Sequence, residues 1–487
     1  MRHTLFKQAL CHLSPHPNYI HIHPYLTGSY VNTQNQPTTL RITLARKLFP
    51  KPESQTPQSN NLQNQKAYPN LYLSMTEGET GKNTFSLAPA SLSPYQRITM
   101  PYTYPMIRPI TQGPQHHWFG YYDKWQIDPT CRYALSMEVD FEHRSPTADD
   151  SIKIGIIDMD KGDIWTEIAT TQAWCWQQGC MLQWIPNSPT DIIWNDKEDA
   201  HFISKVYNTQ TGQIRTLPQA VYTLSPDGKT AIGTDFRRIN HMRPGYGYTS
   251  IPDPNHSVQA PEDTGIYTVN LETGESNLII TIAKVAQIPY PHGDISEARH
   301  YFNHLLFSTD GTRFIFLHRW RFGEGTFHTR MFTANTDGSD LHVVDDYGKM
   351  SHFIWRDPQT ILGWAYHPSH NNKFYLYQDQ TDNDPQPIGP DVMTVNGHCT
   401  YLPGNKWILN DTYPSKDNRN QIPYLYHVET GKRIDLGTFP SPEPYTGEWR
   451  CDLHPRFSPN GQFVTIDSAH EGNGRQIYRI DIDNIVA

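Results

Sequence analysis

The chain has 487 residues, with an aromatic content of 12% that is high and an apolar content of 37% that is low. Its 31 Gly, 39 Pro and 28 Tyr favour many short strands joined by turns over a helical fold. A net charge of −9 excludes a generally basic nucleic-acid-binding protein, and no apolar run reaches the ~18 residues that a membrane span requires.

The first 100 residues differ from the rest because they are rich in Gln, Asn, Thr, Ser and Pro. Such polar sequence buries too little apolar surface to offset the entropy of ordering, so we expect residues 1–100 to be disordered. The initial M-R-H-T-L-F-K-Q-A-L-C-H-L has a short, broken apolar segment without a clear cleavage site. We therefore expect no clear signal peptide, and the six scattered cysteines do not form a disulfide scaffold.

From residue 101 onward a repeat recurs, and it predicts the fold. Each unit has an apolar strand, a turn such as Ser-Pro-Asp-Gly, a second strand, and a Tyr- or Ile-rich strand that ends in a turn such as Glu-Thr-Gly. Seven units of about 50 residues match the size of a four-stranded propeller blade. They begin near His116, Trp176, Tyr222, Phe302, Ser351, Asn396 and Cys451.

We therefore predict that residues 101–487 form a seven-bladed β-propeller, an all-β fold. Residues Met106–Gly113 precede the first unit, and we expect them to supply a strand that closes the ring against the last blade. The third unit is longer than the others because Phe236–Thr264 lies between its second and third strands. Such loops project from one face of a propeller, where binding residues collect.

Four histidines occupy nearly the same position in different units: His304, His398 and His454, with His352 within one residue of it. First strands of propeller blades line the central channel, so these imidazoles are expected to converge. Converging imidazoles suit a divalent transition metal such as zinc in a structural role, with Cys399 or Cys451 as a thiolate ligand. The alternative is that each histidine forms hydrogen bonds within a packed channel.

The loop of the third unit concentrates basic and aromatic residues on an acidic protein. Arginine forks bind carboxylate or sulfate groups bidentately, so the cluster predicts a site for an acidic ligand. Tyr222 and His241, or His117 from the first unit, are candidates for proton transfer beside the arginines, and a positive field near a tyrosine favours phenolate. The alternative is that the arginines brace the loop through its carbonyls. The predicted substrate-binding residues are His116, Arg237, Asn240, His241, Arg243 and Tyr246.

Several segments resemble the propeller-type ulvan lyases and, more distantly, oligogalacturonate lyase. They include H-H-W-F-G-Y-Y-D-K, W-Q-Q-G, Y-T-L-S-P-D-G followed by F-R-R and R-P-G-Y-G-Y, F-L-H-R-W, G-H-C-T-Y and I-D-S-A-H-E-G-N-G-R-Q-I-Y. The resemblance extends from Gln115 to Ile482 and implies β-elimination at a uronic acid in a carboxylated or sulfated polysaccharide. It also implies a structural zinc ion, which is consistent with the histidine register.

The resemblance implies a role for three residues. Tyr222 matches the family's proton-transfer tyrosine, Arg238 its carboxylate-neutralising arginine, and His117 its contributing histidine, with His116 as the neighbouring choice. The family's second histidine is replaced here by Met137, which cannot transfer a proton. Consequently Tyr222 takes both proton-transfer roles, His241 substitutes, or the activity differs.

The sequence thus predicts a polysaccharide lyase that acts on an acidic poly- or oligosaccharide. The alternative is a non-catalytic propeller that binds acidic glycans or a protein partner. We expect a monomer that does not bind nucleic acid, and polysaccharide degradation would suit a periplasmic or extracellular location.

Overall fold

The computed structural model describes residues 105–486 and, before them, segments 30–31, 37–38, 71–77 and 83–89. The chain divides into two units, Met1–Tyr102 and Thr103–Ala487. In the first unit, strand Tyr30–Val31 pairs with Pro37–Thr38, and Leu71–Glu77 pairs with Asn83–Pro89, both antiparallel. The predicted disorder of residues 1–100 otherwise concerns positions outside the described residues.

The second unit is a seven-bladed β-propeller, which confirms the predicted fold class. Each blade is a four-stranded antiparallel sheet, and in blades 1 to 6 the strands pair in the order in which they follow along the chain. The strands of blade 1 are His116–Trp118, Tyr133–Val139, Ile152–Asp158 and Ile164–Thr171. The strands of blade 2 are Gln183–Trp184, Asp191–Glu198, His201–Asn208 and Ile214–Leu217. The strands of blade 3 are Thr223–Leu224, Thr230–Thr234, Gly265–Asn270 and Ser276–Thr281.

The remaining blades follow the same order. The strands of blade 4 are Arg299–Phe307, Arg313–Arg321, His328–Asn335 and His342–Asp345. The strands of blade 5 are Met350–Asp357, Thr360–His367, Asn371–Gln378 and Gln386–Pro387. The strands of blade 6 are Thr400–Tyr401, Trp407–Asn410, Tyr424–His427 and Arg433–Asp435. Outside the seven sheets, Asn420–Gln421 pairs with Phe439–Pro440.

Blade 7 is completed by the N-terminal end of the unit. Its strands Arg456–Phe457, Phe463–Ser468 and Gln476–Asp481 are joined by Ile107–Pro109, which pairs antiparallel with Gln476–Asp481. The predicted ring-closing strand within Met106–Gly113 is therefore confirmed. Its pairing covers the outer edge of the last blade, so that edge exposes fewer unpaired backbone groups.

The recurring turn between first and second strands has one geometry. Ser225 Oγ donates to Asp227 Oδ1 at 2.6 Å, and Gly228 N donates to Ser225 O at 2.9 Å. Gly228 has φ of +71°, a left-handed conformation that glycine adopts without steric cost. The same serine-to-glycine turn recurs at 308–311 and 458–461, so the local sequence specifies each hairpin.

These turns lie at the lower mouth of the central channel, where they line a cavity of about 590 Å³. Because the strands are antiparallel, the loops between second and third strands lie at the opposite end, the upper mouth. The first strands, which line the channel, are mostly buried. The channel therefore has two chemically different ends, and the polar site described below belongs to the upper half.

Helices are few in the described part of the chain. Helix α1, Phe236–Met242, opens the long loop of blade 3 and is capped by Asp235, whose side chain accepts from the backbone N–H groups of Arg237 and Arg238. Helix α2 is Ile282–Ala286 and helix α3 is Asp483–Val486, and 3-10 turns occur at Met159–Lys161 and Gly447–Trp449. None of the helices among the described residues is long and apolar enough to cross a membrane.

Candidate functional site

The four predicted histidines converge in the channel around Tyr122. His352 and His398 have ring centroids 4.3 Å apart, as do His398 and His454. The ring of Tyr122 lies 5.7 Å from that of His304 and 5.4 Å from that of His398. All four histidines are buried. The strand register read from the sequence therefore brings these side chains together, although they are not equivalent.

His304 is held by protein groups on both ring nitrogens. Its Nδ1 lies 3.4 Å from Tyr121 Oη, and its Nε2 lies 3.4 Å from both Tyr122 Oη and Asp123 Oδ2. Burial lowers the pKa of His304, while Asp123 opposes that change. The Tyr-Tyr-Asp segment was present in the H-H-W-F-G-Y-Y-D motif but was not assigned to the channel. These contacts make His304 a packing residue of the channel rather than a free metal ligand.

A three-residue group suited to a metal lies beside it, formed by His398, Asp452 and His454. One ligand atom from each lies within 4.8 Å of the others, and all three residues are buried. His398 precedes the first strand of blade 6, whereas Asp452 and His454 precede that of blade 7. Asp452 was not predicted from the sequence, although its position two residues before a register histidine was a usable signal.

The group is oriented by neighbouring carboxylate and arginine side chains. His398 Nδ1 lies 3.0 Å from both carboxylate oxygens of Asp411, so Nδ1 donates and Nε2 is left with a free lone pair. Asp452 Oδ2 accepts from Arg450 Nε at 2.7 Å, while its Oδ1 is buried without a hydrogen-bond partner. Burial lowers the pKa of His454 well below its ordinary value, which keeps that imidazole neutral. Two imidazoles and a carboxylate oxygen without a partner fit a divalent transition metal.

Tyr413 lies beside this group with its hydroxyl between two imidazoles. Its Oη is 3.4 Å from His352 Nε2 and 3.5 Å from His398 Nε2. His352 Nδ1 lies 3.0 Å from Asn396 Oδ1 and therefore donates, which leaves Nε2 as an acceptor. Burial raises the pKa of Tyr413 and lowers that of His352, so both groups are neutral near pH 7. Tyr413 was not predicted from the sequence, because it lies in the loop between the second and third strands of blade 6.

The cysteines take no part in the metal group within the described part of the chain. Cys399 and Cys451 are buried free thiols, and burial raises the pKa of each well above its ordinary value. The predicted thiolate ligand, Cys399 or Cys451, is therefore not part of this group among the described residues. Cys180 Sγ lies 3.6 Å from Met137 Sδ in apolar surroundings, which places Met137 in the core of blades 1 and 2.

Tyr222 is buried in the channel wall. Its hydroxyl accepts from Gln178 Nε2 at 2.6 Å and donates to Asn303 Oδ1 at 3.3 Å. The cation beside it is Lys124, whose Nζ lies 4.8 Å from the ring centroid, rather than an arginine. Burial raises the pKa of Tyr222 well above its ordinary value, and Asp123 adds to the increase. The expected lowering of this pKa by arginines is therefore wrong for this geometry.

Arg238 points away from the channel into the loop that follows helix α1. All five of its N–H donors form hydrogen bonds. Nε donates to His300 O, and Nη1 donates to Asp253 Oδ2 and Asn255 O. Nη2 donates to the carbonyl oxygens of residues 258 and 259. Its side chain is 1% exposed, as is that of Asp253. No donor is left for a substrate carboxylate, so the loop-bracing alternative describes this arginine.

The two predicted site histidines of blade 1 are His116 and His117. Neither contacts Tyr222 or Arg238 among the described residues. His117 Nε2 is 3.5 Å from Glu138 Oε2, its Nδ1 is 3.5 Å from Ser136 Oγ, and burial lowers its pKa to about 4. His116 Nδ1 lies 3.1 Å from Glu142 Oε2. The three predicted catalytic residues are therefore dispersed over blades 1 and 3.

The other predicted ligand-binding residues divide into two sets. Arg237 pairs with the helix-capping Asp235, and His241 Nε2 accepts from Arg299 Nη1 at 3.1 Å. Asn240 Oδ1 is buried without a hydrogen-bond partner.

Arg243 and Tyr246 instead face the channel. The Arg243 Cζ lies 3.9 Å from the Tyr246 ring centroid, and Tyr246 Oη accepts from Arg450 Nη2 at 2.5 Å. Arg450 also donates a hydrogen bond to Asp452. Arg243 and Tyr246 therefore lie next to the metal-type group, which consists of His398, Asp452 and His454.

Comparisons with known proteins support the fold. An oligogalacturonate lyase solved in complex with manganese superposes with a TM-score of 0.56 at 12% identity, covering 84% of this chain and 96% of its own. An oligogalacturonate lyase from Vibrio parahaemolyticus gives a TM-score of 0.53 at 13% identity, and the superposition covers 85% of this chain and 99% of that lyase. Neither a protein-family model nor a curated protein matches the sequence. At this identity the similarity establishes a propeller fold like that of these lyases, and the resemblance to ulvan lyases stays a prediction.

Proposed function

We propose that this propeller is a metal-dependent lyase that cleaves a uronate-containing glycan by β-elimination at the upper half of its channel. The proposal is supported most directly by the group of His398, Asp452 and His454, with one histidine oriented by Asp411 and one carboxylate oxygen without a partner. The propeller fold shared with two oligogalacturonate lyases, one of them a manganese complex, is consistent with it.

These three residues would hold a divalent cation such as manganese or zinc. When bound, the cation supplies positive charge that neutralises a uronate carboxylate and makes the neighbouring C5 proton more acidic. Arg450 keeps Asp452 in place through the 2.7 Å contact of Nε with Oδ2. Asp411 keeps the His398 imidazole in the tautomer whose Nε2 can bind a metal.

His352 and Tyr413 are the proposed pair for proton transfer. β-Elimination removes a proton from C5 and delivers a proton to the departing glycosidic oxygen, so it needs a base and an acid. His352 is neutral, so its Nε2 can accept a proton, and Tyr413 is protonated, so its hydroxyl can donate one; each group therefore starts in the protonation state that its proposed role requires. His352 Nε2 and Tyr413 Oη lie 3.4 Å apart. The proton that His352 takes from C5 can therefore be passed to Tyr413 after Tyr413 has given its own proton to the glycosidic oxygen.

The test combines metal analysis with detection of the unsaturated uronate product by its ultraviolet absorbance. Purified full-length protein, stripped with EDTA and reloaded with manganese or zinc, is incubated with polygalacturonate, ulvan and other uronate polysaccharides. Asp452→Asn should lose both bound metal and product formation, whereas the exposed Asp391→Asn should change neither. His352→Gln and Tyr413→Phe should keep the metal and reduce turnover by about a hundredfold or more. Absence of product on every polysaccharide with metal-loaded wild type would refute the lyase proposal.

A second candidate function is non-catalytic binding of an acidic glycan or a protein partner. It is favoured by Met137, which lies in an apolar core where the resemblance expects a proton-transferring histidine. It is also favoured by the dispersal of Tyr222, His117 and Arg238. Saturable glycan binding without any product would support this alternative.

A further inference from the structure

Four arginines gather at the upper mouth of the channel on a protein of net charge −9. They are Arg243 from the loop of blade 3 and Arg299, Arg319 and Arg321 from the first two strands of blade 4. Arg299 and Arg321 pair with Glu324, whose side chain is 83% exposed. Within the part of the chain that the structure describes, Arg243 and Arg319 have no carboxylate partner.

Arg319 is the unusual member because it is 5% exposed and its Nε and Nη1 are buried without a hydrogen-bond partner. A buried guanidinium without an acceptor is costly, so its retention calls for a group that binds it. Tyr301, which faces Arg319 across the antiparallel strand pair, is fully buried and its hydroxyl also has no partner. Three donor groups without partners therefore occur on two neighbouring residues of blade 4.

The same arginines share an aromatic platform. The Cζ atoms of Arg243 and Arg319 lie 4.7 Å and 4.8 Å from the ring centroid of Phe327. Phe327 is 41% exposed, and Phe322 at the other end of the same short loop is 47% exposed. Exposed aromatic rings beside paired guanidinium groups suit a sugar ring that carries an anionic substituent, since the ring contacts the apolar face and arginine forks bind the anion.

We infer that Arg319 and Arg243, with Phe327, form a second anion-binding subsite that takes the carboxylate or sulfate ester of a sugar unit adjacent to the one at the metal-type group. Arg243 connects the two places because it packs on Tyr246, whose hydroxyl is bonded to Arg450 beside Asp452. The subsite therefore selects glycans with acidic groups on neighbouring units. The identity of the ligand as a glycan rests on the proposed function, whereas the anion site stands on the arginine geometry alone.

The test is isothermal titration calorimetry on EDTA-treated full-length protein, so that binding is measured apart from metal and turnover. The probes are trigalacturonate, a sulfated galactan oligosaccharide without uronate, and neutral maltotriose. We expect an acidic probe to bind and maltotriose not to bind. Arg319→Met and Arg243→Met should each weaken that binding by about tenfold or more, while Arg356→Met at the lower mouth should leave it unchanged. Whichever acidic probe binds identifies the carboxylate or the sulfate.

A stability measurement separates this role from a structural one. Because Arg319 is buried without an acceptor, Arg319→Met should raise the thermal unfolding midpoint of the ligand-free protein while it weakens binding. A lowered midpoint with unchanged affinity, or equal binding of maltotriose, would overturn the inference. Binding that depends on Arg319 in a protein without lyase activity would support the subsite and count only against the proposed function.

Discussion

Arg238→Ala offers the sharpest test of whether sequence resemblance or geometry describes the loop of blade 3. In the wild type the guanidinium donates five hydrogen bonds, four to carbonyls and one to the buried Asp253 carboxylate. Truncation leaves Asp253 as an unpaired buried charge, and losing one partner of a buried pair costs about 3–5 kcal/mol. The neighbouring Arg237→Ala is the matched control, because its side chain is 28% exposed and pairs with Asp235 on the same loop.

We expect urea unfolding to show that Arg238→Ala lowers the free energy of unfolding by about 3–5 kcal/mol and Arg237→Ala by about 1 kcal/mol or less. Limited proteolysis should also show faster cleavage within 253–264 in Arg238→Ala alone, because Arg238 holds the carbonyls of Asn255, Val258 and Gln259. If Arg238→Ala is as stable as Arg237→Ala and yet loses ligand binding, the structural assignment is refuted and the carboxylate-neutralising role is restored.

Three further changes test the remaining geometry. Tyr222→Phe should lower stability by about 1–2 kcal/mol, because it removes a partner from the buried Gln178 amide; an unchanged urea midpoint would contradict this. Stability should fall as the pH falls from about 6.5 to about 4, because burial lowers the pKa of both His300 and His117 to about 4 and the unfolded chain takes up the protons first; each of these two histidines should contribute up to about 3 kcal/mol, and a flat urea-unfolding profile would contradict it. Gly247→Ala should cost about 1–3 kcal/mol, because its Cβ would lie 2.1 Å from Asn240 N in helix α1; wild-type thermal stability would show that the loop can move.

The blade pattern was readable from the sequence because it is local. A Ser-Pro-Asp-Gly turn makes its hydrogen bonds within four residues, as Ser225 does with Asp227 and Gly228. Each channel histidine lies at nearly the same distance before this turn, so the histidine register at His398 and His454 could be predicted.

The directions of loop side chains could not be read in this way. Arg238 and Arg243 are five residues apart in one basic cluster. Arg238 donates its hydrogen bonds to carbonyl oxygens of a later loop segment, whereas Arg243 faces the channel. Their difference depends on where residues 253–259 fold back, which no short-range pattern specifies. The sequence predicted an acidic-ligand site in this cluster but could not say which arginine is free.

What the sequence determined by itself is the propeller, its closing strand and the convergence of channel histidines, because turn chemistry and strand period act over a few residues. Only the tertiary structure decided that Asp452 joins His398 and His454 in the metal-type group, that Asp411 orients His398, and that Tyr413 lies beside the group. It also decided that Arg319 is buried without an acceptor. Packing between blades 6 and 7 brings Asp452 to His398, while Asp411 and Tyr413 lie 13 and 15 residues from His398 within blade 6, and neither a turn nor a strand period specifies such contacts.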